Sequence, residues 1–470
     1  MTALASTTVD LARIQFATTT LYHFLFVPLT LGLAPLVAVM QTLWYRSGDE
    51  AWLRLTKFFG TLLLINFAIG VATGLVQEFQ FGMNWAVYSK YVGNVFGAPL
   101  AIEGLAAFFL ESTFLGLWIF GWERLSKRVH LATIWLVAIG TWLSAYFILV
   151  ANSWMQKPVG YEVVEGEAHL TNVWHLLTAR FALWAFGHTM LAGLTAASVV
   201  VLGVSCWHLL HGRNQELFMR AAKLALIVLV PVSAFNLWFG SNFGIVTTED
   251  QPMKIASTEA QWDTCQPCSF SMFQIGGFSV DDQTPTFSIE IPRLLSFLAT
   301  GSFSGKVVGI NENQSQEQKQ FRRKYGKANY IPPVRATYWA MRTMAYLGTL
   351  VFLVAAVGAF LYRRRRLERS RWYLWSAVVT IAFPFIAALA GWVLTEVGRQ
   401  PWIVYGLLKT SEANSPNVGT WWIATSLAVF AGLYGVLAFV DFVLMRRYAR
   451  VDPDGGPEPR KELPAPAVSL

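Results

Sequence analysis

The sequence predicts an all-α integral membrane protein with nine transmembrane helices, its N-terminus outside and its C-terminus cytoplasmic. Three observations carry this. Of the 470 residues, 54% are hydrophobic and only 14% charged, against ~25% charged in a soluble domain. Nine stretches reach the ~20 apolar residues that a span requires, roughly 14–45, 56–79, 97–121, 131–151, 181–210, 219–240, 336–361, 373–396 and 419–445. Lys and Arg gather in alternate connections, which fixes the orientation.

The elements follow in order. The first stretch is too long for a signal-peptide core and has no small-residue cleavage site, so it reads as a span. The connections after odd-numbered spans hold Arg46, Arg54 and Lys57, then Arg124, Lys127 and Arg128, then Arg213, Arg220 and Lys223. The same face holds the arginines from Arg363 to Arg371 and the tail group Arg446, Arg447, Arg450, Arg460 and Lys461. The opposite face has only Arg13, Lys90, Lys157, Arg180, Arg399 and Lys409. The first face is therefore cytoplasmic, and the basic runs are topology signals rather than nucleic-acid sites. The chain divides into helices 1–6 (1–240), a long polar segment outside (241–335), helices 7–9 (336–450) and a disordered cytoplasmic tail (451–470). A connection as long as 241–335 is unusual and often functional. It contains one short helix around Ile291–Thr300. Three cysteines exclude a disulfide scaffold.

Ionisable residues inside spans are costly and mark function. His23, Glu103, His188 and Met344 lie early in spans 1, 3, 5 and 7, and Glu396 lies at the end of span 8. All five fall in the outer half at a similar depth. A His, Met and Glu set on facing helices fits a metal or haem site. The competing reading is a proton-coupled transporter, which predicts internal repeats and helices broken at the midplane. No repeat is visible. Arg342, beside Met344, is a lone guanidinium within a span and needs anions, which haem propionates supply.

At these residues the chain resembles subunit I of cytochrome bd quinol oxidases. The motifs are RIQFATTTLYHFLFVPLTLGL with His23 and GAPLAIEGLAAFFLESTFLGLWIFGW with Glu103 and Glu111. FGHTM carries His188, YWAMRTM carries Arg342 and Met344, and GWVLTEVGRQPW carries Trp392, Glu396 and Arg399. QPMKIASTEAQW places Lys254 and Glu259 at the start of a quinol-binding loop. The loop is short, which favours menaquinol by analogy.

The resemblance implies two haems b, one low-spin and one high-spin, and one haem d. It assigns His188 and Met344 to the low-spin haem and His23, Glu103 and Glu396 to the two high-spin haems without dividing them; we give Glu396 to the high-spin haem b and His23 with Glu103 to haem d. Trp392 and Arg399 accompany them. It further implies oxidation of membrane quinol outside and reduction of dioxygen with cytoplasmic protons, without pumping. The partners are a second subunit and a small single-span subunit, in a bacterial cytoplasmic membrane. Glu111 fits as the proton relay, ~12 Å deeper than Glu103 and ~80° around an α-helix, with the Ser112 hydroxyl beside it. Cys265 and Cys268 depart from the family pattern. Facing outward, they read as a disulfide, since zinc would want a second pair.

Overall fold

The computed structural model describes residues 2–453. Among them, nine helical segments are long and apolar enough to cross a membrane, and each covers one expected stretch. The chain starts with α1 (Thr2–His23) and α2 (Val27–Ser47), which together form the first segment. α3 (Glu50–Met83) is the second. α4 (Ala86–Ile102) and α5 (Phe109–Phe120) form the third, and α6 (Lys127–Gln156) the fourth. A hairpin of β1 (Tyr161–Val164) and β2 (Glu167–Leu170) and the short α7 (Val173–Leu177) lead to α8 (Arg180–Leu210) and α9 (Gln215–Asp250).

The long connection carries α10 (Pro252–Thr258), β3 (Phe270–Gly276), β4 (Pro285–Ile291), α11 (Leu294–Thr300) and α12 (Ile310–Tyr325). Then come α13 (Val334–Arg363), α14 (Arg371–Thr380) and α15 (Ala382–Val397), the hairpin of β5 (Trp402–Val404) and β6 (Leu408–Lys409), and α16 (Thr420–Tyr448).

Prolines explain two interruptions. Pro28 has no N–H to offer the carbonyl of Phe24, four residues back. The first segment therefore breaks at 24–26, and Asn66 Nδ2 joins the Thr30 N–H on the carbonyl of Phe26, at 2.9 Å. Pro384 does the same to Thr380, and α14 ends there. The third segment holds a different irregularity. Between Pro99 and Phe109 the chain makes a π-helical turn over Glu103–Phe108.

Two departures from expectation concern the connection. α9 runs to Asp250, so the connection begins ten residues later than 241. Hydropathy reports only the part of a helix that lipid can cover, whereas internal hydrogen bonds carry it further. The connection is also more ordered than one short helix. α11 matches the expected helix, but α12 has no apolar stripe to announce it, and β3 pairs antiparallel with β4. Cys265 and Cys268 are joined by a disulfide. Residues 454–470, most of the expected disordered tail, lie outside the described residues.

Packing leaves a space between two apolar cores. One core, toward the arginine-rich connections, includes Leu33, Leu55, Phe59, Val201, Ala221 and Tyr373. The other, toward the long connection, includes Trp85, Val95, Phe96, Trp154, Val404 and Leu408. Small residues bring backbones together, as membrane helices favour. A Cβ on Gly32 of α2 would fall 2.1 Å from the carbonyl oxygen of Gly193 on α8.

Candidate functional site

A cavity of about 1110 Å³ lies between these cores, lined chiefly by residues of α1–α6 and α15, with Thr189 of α8 and Ile403 of β5 at its border. It exceeds the ~300–1,000 Å³ of a usual small-ligand site. His23, Glu103, Glu111, Trp392, Glu396 and Arg399 all line it.

His23 ends α1 immediately before the break caused by Pro28. Its Nδ1 lies 2.9 Å from Thr73 Oγ1, and a Cβ on Gly74 would come within 3.1 Å of its Cε1. The imidazole is thus pressed flat against α3. Glu103 opens the π-turn, and Ser144 Oγ donates to its Oε1 at 2.6 Å.

The π-turn changes the relation between Glu103 and Glu111. Uniform α geometry places them ~80° apart. Bonding i to i+5 lowers the rotation to about 80° per residue, which removes about 100° over the turn. Both carboxyl groups therefore reach one cavity. Ser112 does not accompany Glu111. Its hydroxyl donates to Phe108 O at 2.8 Å on its own helix, and it is not among the lining residues. The hydroxyl that does meet a carboxyl of this segment is Ser144 on α6, bonded to Glu103, which no spacing within the third segment could reveal.

Glu396 is the most heavily bonded carboxylate of the site. Asn152 Nδ2 and Gln156 Nε2 donate to its Oε1 at 2.9 and 3.4 Å, and Arg399 pairs with its other oxygen. Trp392 stacks on Phe24 with centroids 5.1 Å apart. Arg399 is 3% exposed, and its Nε and Nη1 make no hydrogen bond among the described residues.

Arg342 is the opposite case and corrects the expectation. Its guanidinium is not alone. Nη2 pairs with Glu259 Oε2 at 2.6 Å, Nε and Nη2 donate to the Ser271 carbonyl, and Nη1 donates to that of Thr258. Its plane also lies 3.7 Å from the ring centre of Tyr338. Its anion is a carboxylate of this chain, whereas Arg399 is a buried cation that lines the cavity and keeps two nitrogens without a hydrogen bond among the described residues. Sequence reasoning missed this because the pair spans 83 residues and forms only when α10 docks on α13.

Glu259 and Lys254 both lie outside the spans and are buried. Burial raises the Glu259 pKa against the opposing pull of Arg342. Burial, aided by the Arg399 charge and opposed by Glu396, lowers Lys254 to about 7. Lys254 Nζ donates to Gln156 Oε1 at 2.6 Å. Gln156 thus joins the quinol-motif lysine to Glu396 through one side chain. Neither Asn152 nor Gln156 carried a sequence signal.

His188 and Met344 stand apart from the cavity lining, so the five expected residues form two loci rather than one. His188 projects from α8 and Met344 from α13, within a ring in which α8, α9, α13 and α15 pack in sequence. A Cβ on Gly240 of α9 would lie 3.0 Å from His188 Cε1, and one on Gly391 of α15 would lie 2.8 Å from Met344 Sδ. His188 Nδ1 makes no hydrogen bond among the described residues.

Comparison with known proteins places these features in a family. Residues 11–453 match the family described as cytochrome bd terminal oxidase subunit I. The protein of Bacillus subtilis (strain 168) named cytochrome bd ubiquinol oxidase subunit 1 is 44% identical over 446 residues, covering 93% of this chain and 92% of its own. The Escherichia coli (strain K12) protein named cytochrome bd-II ubiquinol oxidase subunit 1 is 36% identical, covering 95% of this chain and 97% of its own. The structure of bd oxidase from Geobacillus thermodenitrificans superposes with a TM-score of 0.85 at 27% identity, over 94% of this chain and 98% of that one. The nine spans, the cavity and this match over nearly the whole length lead to one conclusion: the chain belongs to the cytochrome bd terminal oxidase subunit I family.

Proposed function

We propose that this chain is the haem-bearing subunit that oxidises quinol on the side of the long connection and reduces dioxygen at the cavity. The cavity carries the reading. A porphyrin needs an apolar slot of this size, axial donors and a cation for its propionates. The lining supplies His23, Glu103 and Glu396 as donors, and the unpaired edge of Arg399 as the cation. His23 with Glu103 would hold haem d and Glu396 a high-spin haem b. His188 and Met344, each held against a glycine, would hold a low-spin haem b. When bound, these groups supply one-electron transfer and the iron at which oxygen is reduced.

The chain's own residues do the rest. Lys254 and Glu259 bind the quinol hydroxyls, and Glu259 accepts a proton as the quinol is oxidised. Arg342 holds that carboxylate in place through their ion pair. Glu111 and Glu103, on one face through the π-turn, hand protons to the cavity from the arginine-rich side, with Ser144 orienting Glu103. Trp392, one turn before Glu396 on α15, closes that side of the cavity against Phe24.

By the positive-inside rule the arginine-rich side is cytoplasmic. Quinol protons then leave outside while substrate protons enter from inside, so charge separates without a pump. The setting is a bacterial cytoplasmic membrane, with a second subunit and a small single-span subunit as partners. The short connection favours menaquinol, although both named relatives are called ubiquinol oxidases. Parallel turnover with the two quinols decides between them.

The test is a reduced-minus-oxidised visible spectrum of the purified complex. His188→Ala and Met344→Leu should each remove the low-spin haem b band and leave the high-spin bands. A folded, haem-free complex would overturn the reading, and unchanged low-spin bands in both variants would overturn the ligand pair.

A further inference from the structure

The β3–β4 hairpin wears its side chains inside out for a sheet that faces water. Its register pairs Phe273 with Ile289 and Ile275 with Phe287. Alternate residues share a face, so these four form one apolar patch. They are 39%, 50%, 55% and 52% exposed, respectively. On β3 the polar residues point inward, while Thr286 and Glu290 of β4 stay exposed at the hairpin's outer strand. Ser271 and Gln274 are buried, and the Ser271 carbonyl accepts from Arg342 while its hydroxyl bonds Tyr338. A two-stranded sheet in water has the reverse pattern, apolar face covered and polar face wet.

The patch continues a surface that belongs to the membrane. Phe273 packs edge-on against Trp339 of α13 with centroids 5.5 Å apart, and Tyr346 donates its hydroxyl to the Met272 carbonyl at 2.5 Å. Trp339 and Tyr346 begin an exposed stripe that runs on through Leu350, Leu353 and Val357. The spacings of 7, 4, 3 and 4 keep these on one helix face. Leu350, Leu353 and Val357 lie within a membrane-spanning helix, where lipid is the natural cover. Trp and Tyr at the upper end of such a stripe mark the lipid–water boundary. The hairpin is attached at that level.

We propose that the β3–β4 hairpin rests in the headgroup–acyl boundary of the leaflet on its side, with its four-residue apolar face against lipid. It is an interfacial element in the sense of a monotopic amphipathic segment, built from strands instead of a helix. Its β3 strand covers Arg342, the partner of Glu259, through the Ser271 carbonyl and the Phe270 ring. On the quinol reading given above, a lipophilic quinol therefore reaches Glu259 from the bilayer along the hairpin edge, without crossing water.

The experiment places a nitroxide on Ile289→Cys in the complete complex in lipid nanodiscs. Native thiols of this chain do not compete, since Cys206 is buried and Cys265 and Cys268 are bonded. The unsubstituted complex gives the blank for the other subunits. Lys319→Cys on the exposed side of α12 gives the water-facing reference. Relaxation by dioxygen should dominate at position 289 and relaxation by a neutral nickel chelate at position 319, the ratio changing several-fold between them. Chelate-dominated relaxation at 289 overturns the proposal. Protection from both reagents overturns it too, and assigns the face to a protein partner. The double variant Phe287→Ser with Ile289→Ser tests the quinol path. KM for a long-tailed quinol should rise several-fold, with kcat and the KM for a tail-less quinol unchanged. Equal KM shifts for both quinols overturn the path while the lipid contact stands, and the haem spectrum separately monitors the oxidase reading.

Discussion

Lys254 offers a quantitative test of how the connection closes on the membrane helices. The ammonium is 4% exposed, and burial lowers its pKa from the ordinary 10.5 to about 7. Opening of α10 restores the ordinary value. Between about 7 and 10.5 the open form holds a proton that the closed form lacks, so closure strengthens as pH rises. Below about 7 both forms are protonated, and the closed form bears the full cost of the buried charge. Each pH unit within the window is worth ~1.4 kcal/mol. From pH 6.5 to 9 the closed form should therefore gain ~3 kcal/mol, which is about 100-fold in the opening constant.

The assay is hydrogen–deuterium exchange of the Met253–Glu259 amides in the intact complex, corrected for the pH dependence of intrinsic exchange. Glu259 acts with the opposite sign. Its raised pKa favours closure at low pH, and that contribution is lost as pH rises from 4.5 through the folded value. Measurement in a Glu259→Gln background removes it. Lys254→Met should abolish the remaining slope, and Gln156 Oε1 keeps a donor there from Gln251 at 3.1 Å. A flat profile with Lys254 present, or an undiminished slope in Lys254→Met, would refute the reasoning.

Three further outcomes are expected. Glu317 on α12 is buried against Trp402 and Tyr405 of the β5 region, and burial raises its pKa from 4.5 to about 7; α12 docking is strongest below pH 4.5 and weakens as pH rises through about 7, by ~3 kcal/mol. Exchange at α12 measures this, and Glu317→Gln should flatten it. Gly391→Val places a branched side chain where even a Cβ lies 2.8 Å from Met344 Sδ, so the low-spin band should fall while the Glu396 carboxylate site keeps its own bands; an unaltered spectrum would remove Met344 from the ligand set. Glu111→Gln keeps shape but cannot cycle a proton, so oxygen consumption should drop at least tenfold with haems present and still reduced by quinol, whereas Glu103→Gln should alter the haem d spectrum; wild-type turnover in Glu111→Gln would exclude the relay.

The sequence by itself determined the nine spans, because each reports its own hydropathy and a helix satisfies its backbone without neighbours. It also placed His23, Glu103 and Glu396 at one level, since rise along a helix is uniform, and the cavity lining contains all three. Tertiary structure alone decided the rest. The prolines that interrupt spans are visible in sequence, but the π-turn that carries Glu111 around to the face of Glu103 is not. The bond of Ser144 to Glu103 depends on which helix packs beside the third segment. Glu259 neutralises Arg342 because α10 docks on α13, a contact between residues more than 80 positions apart. Charges at that separation choose partners through the packing of helices, and no local pattern encodes the choice.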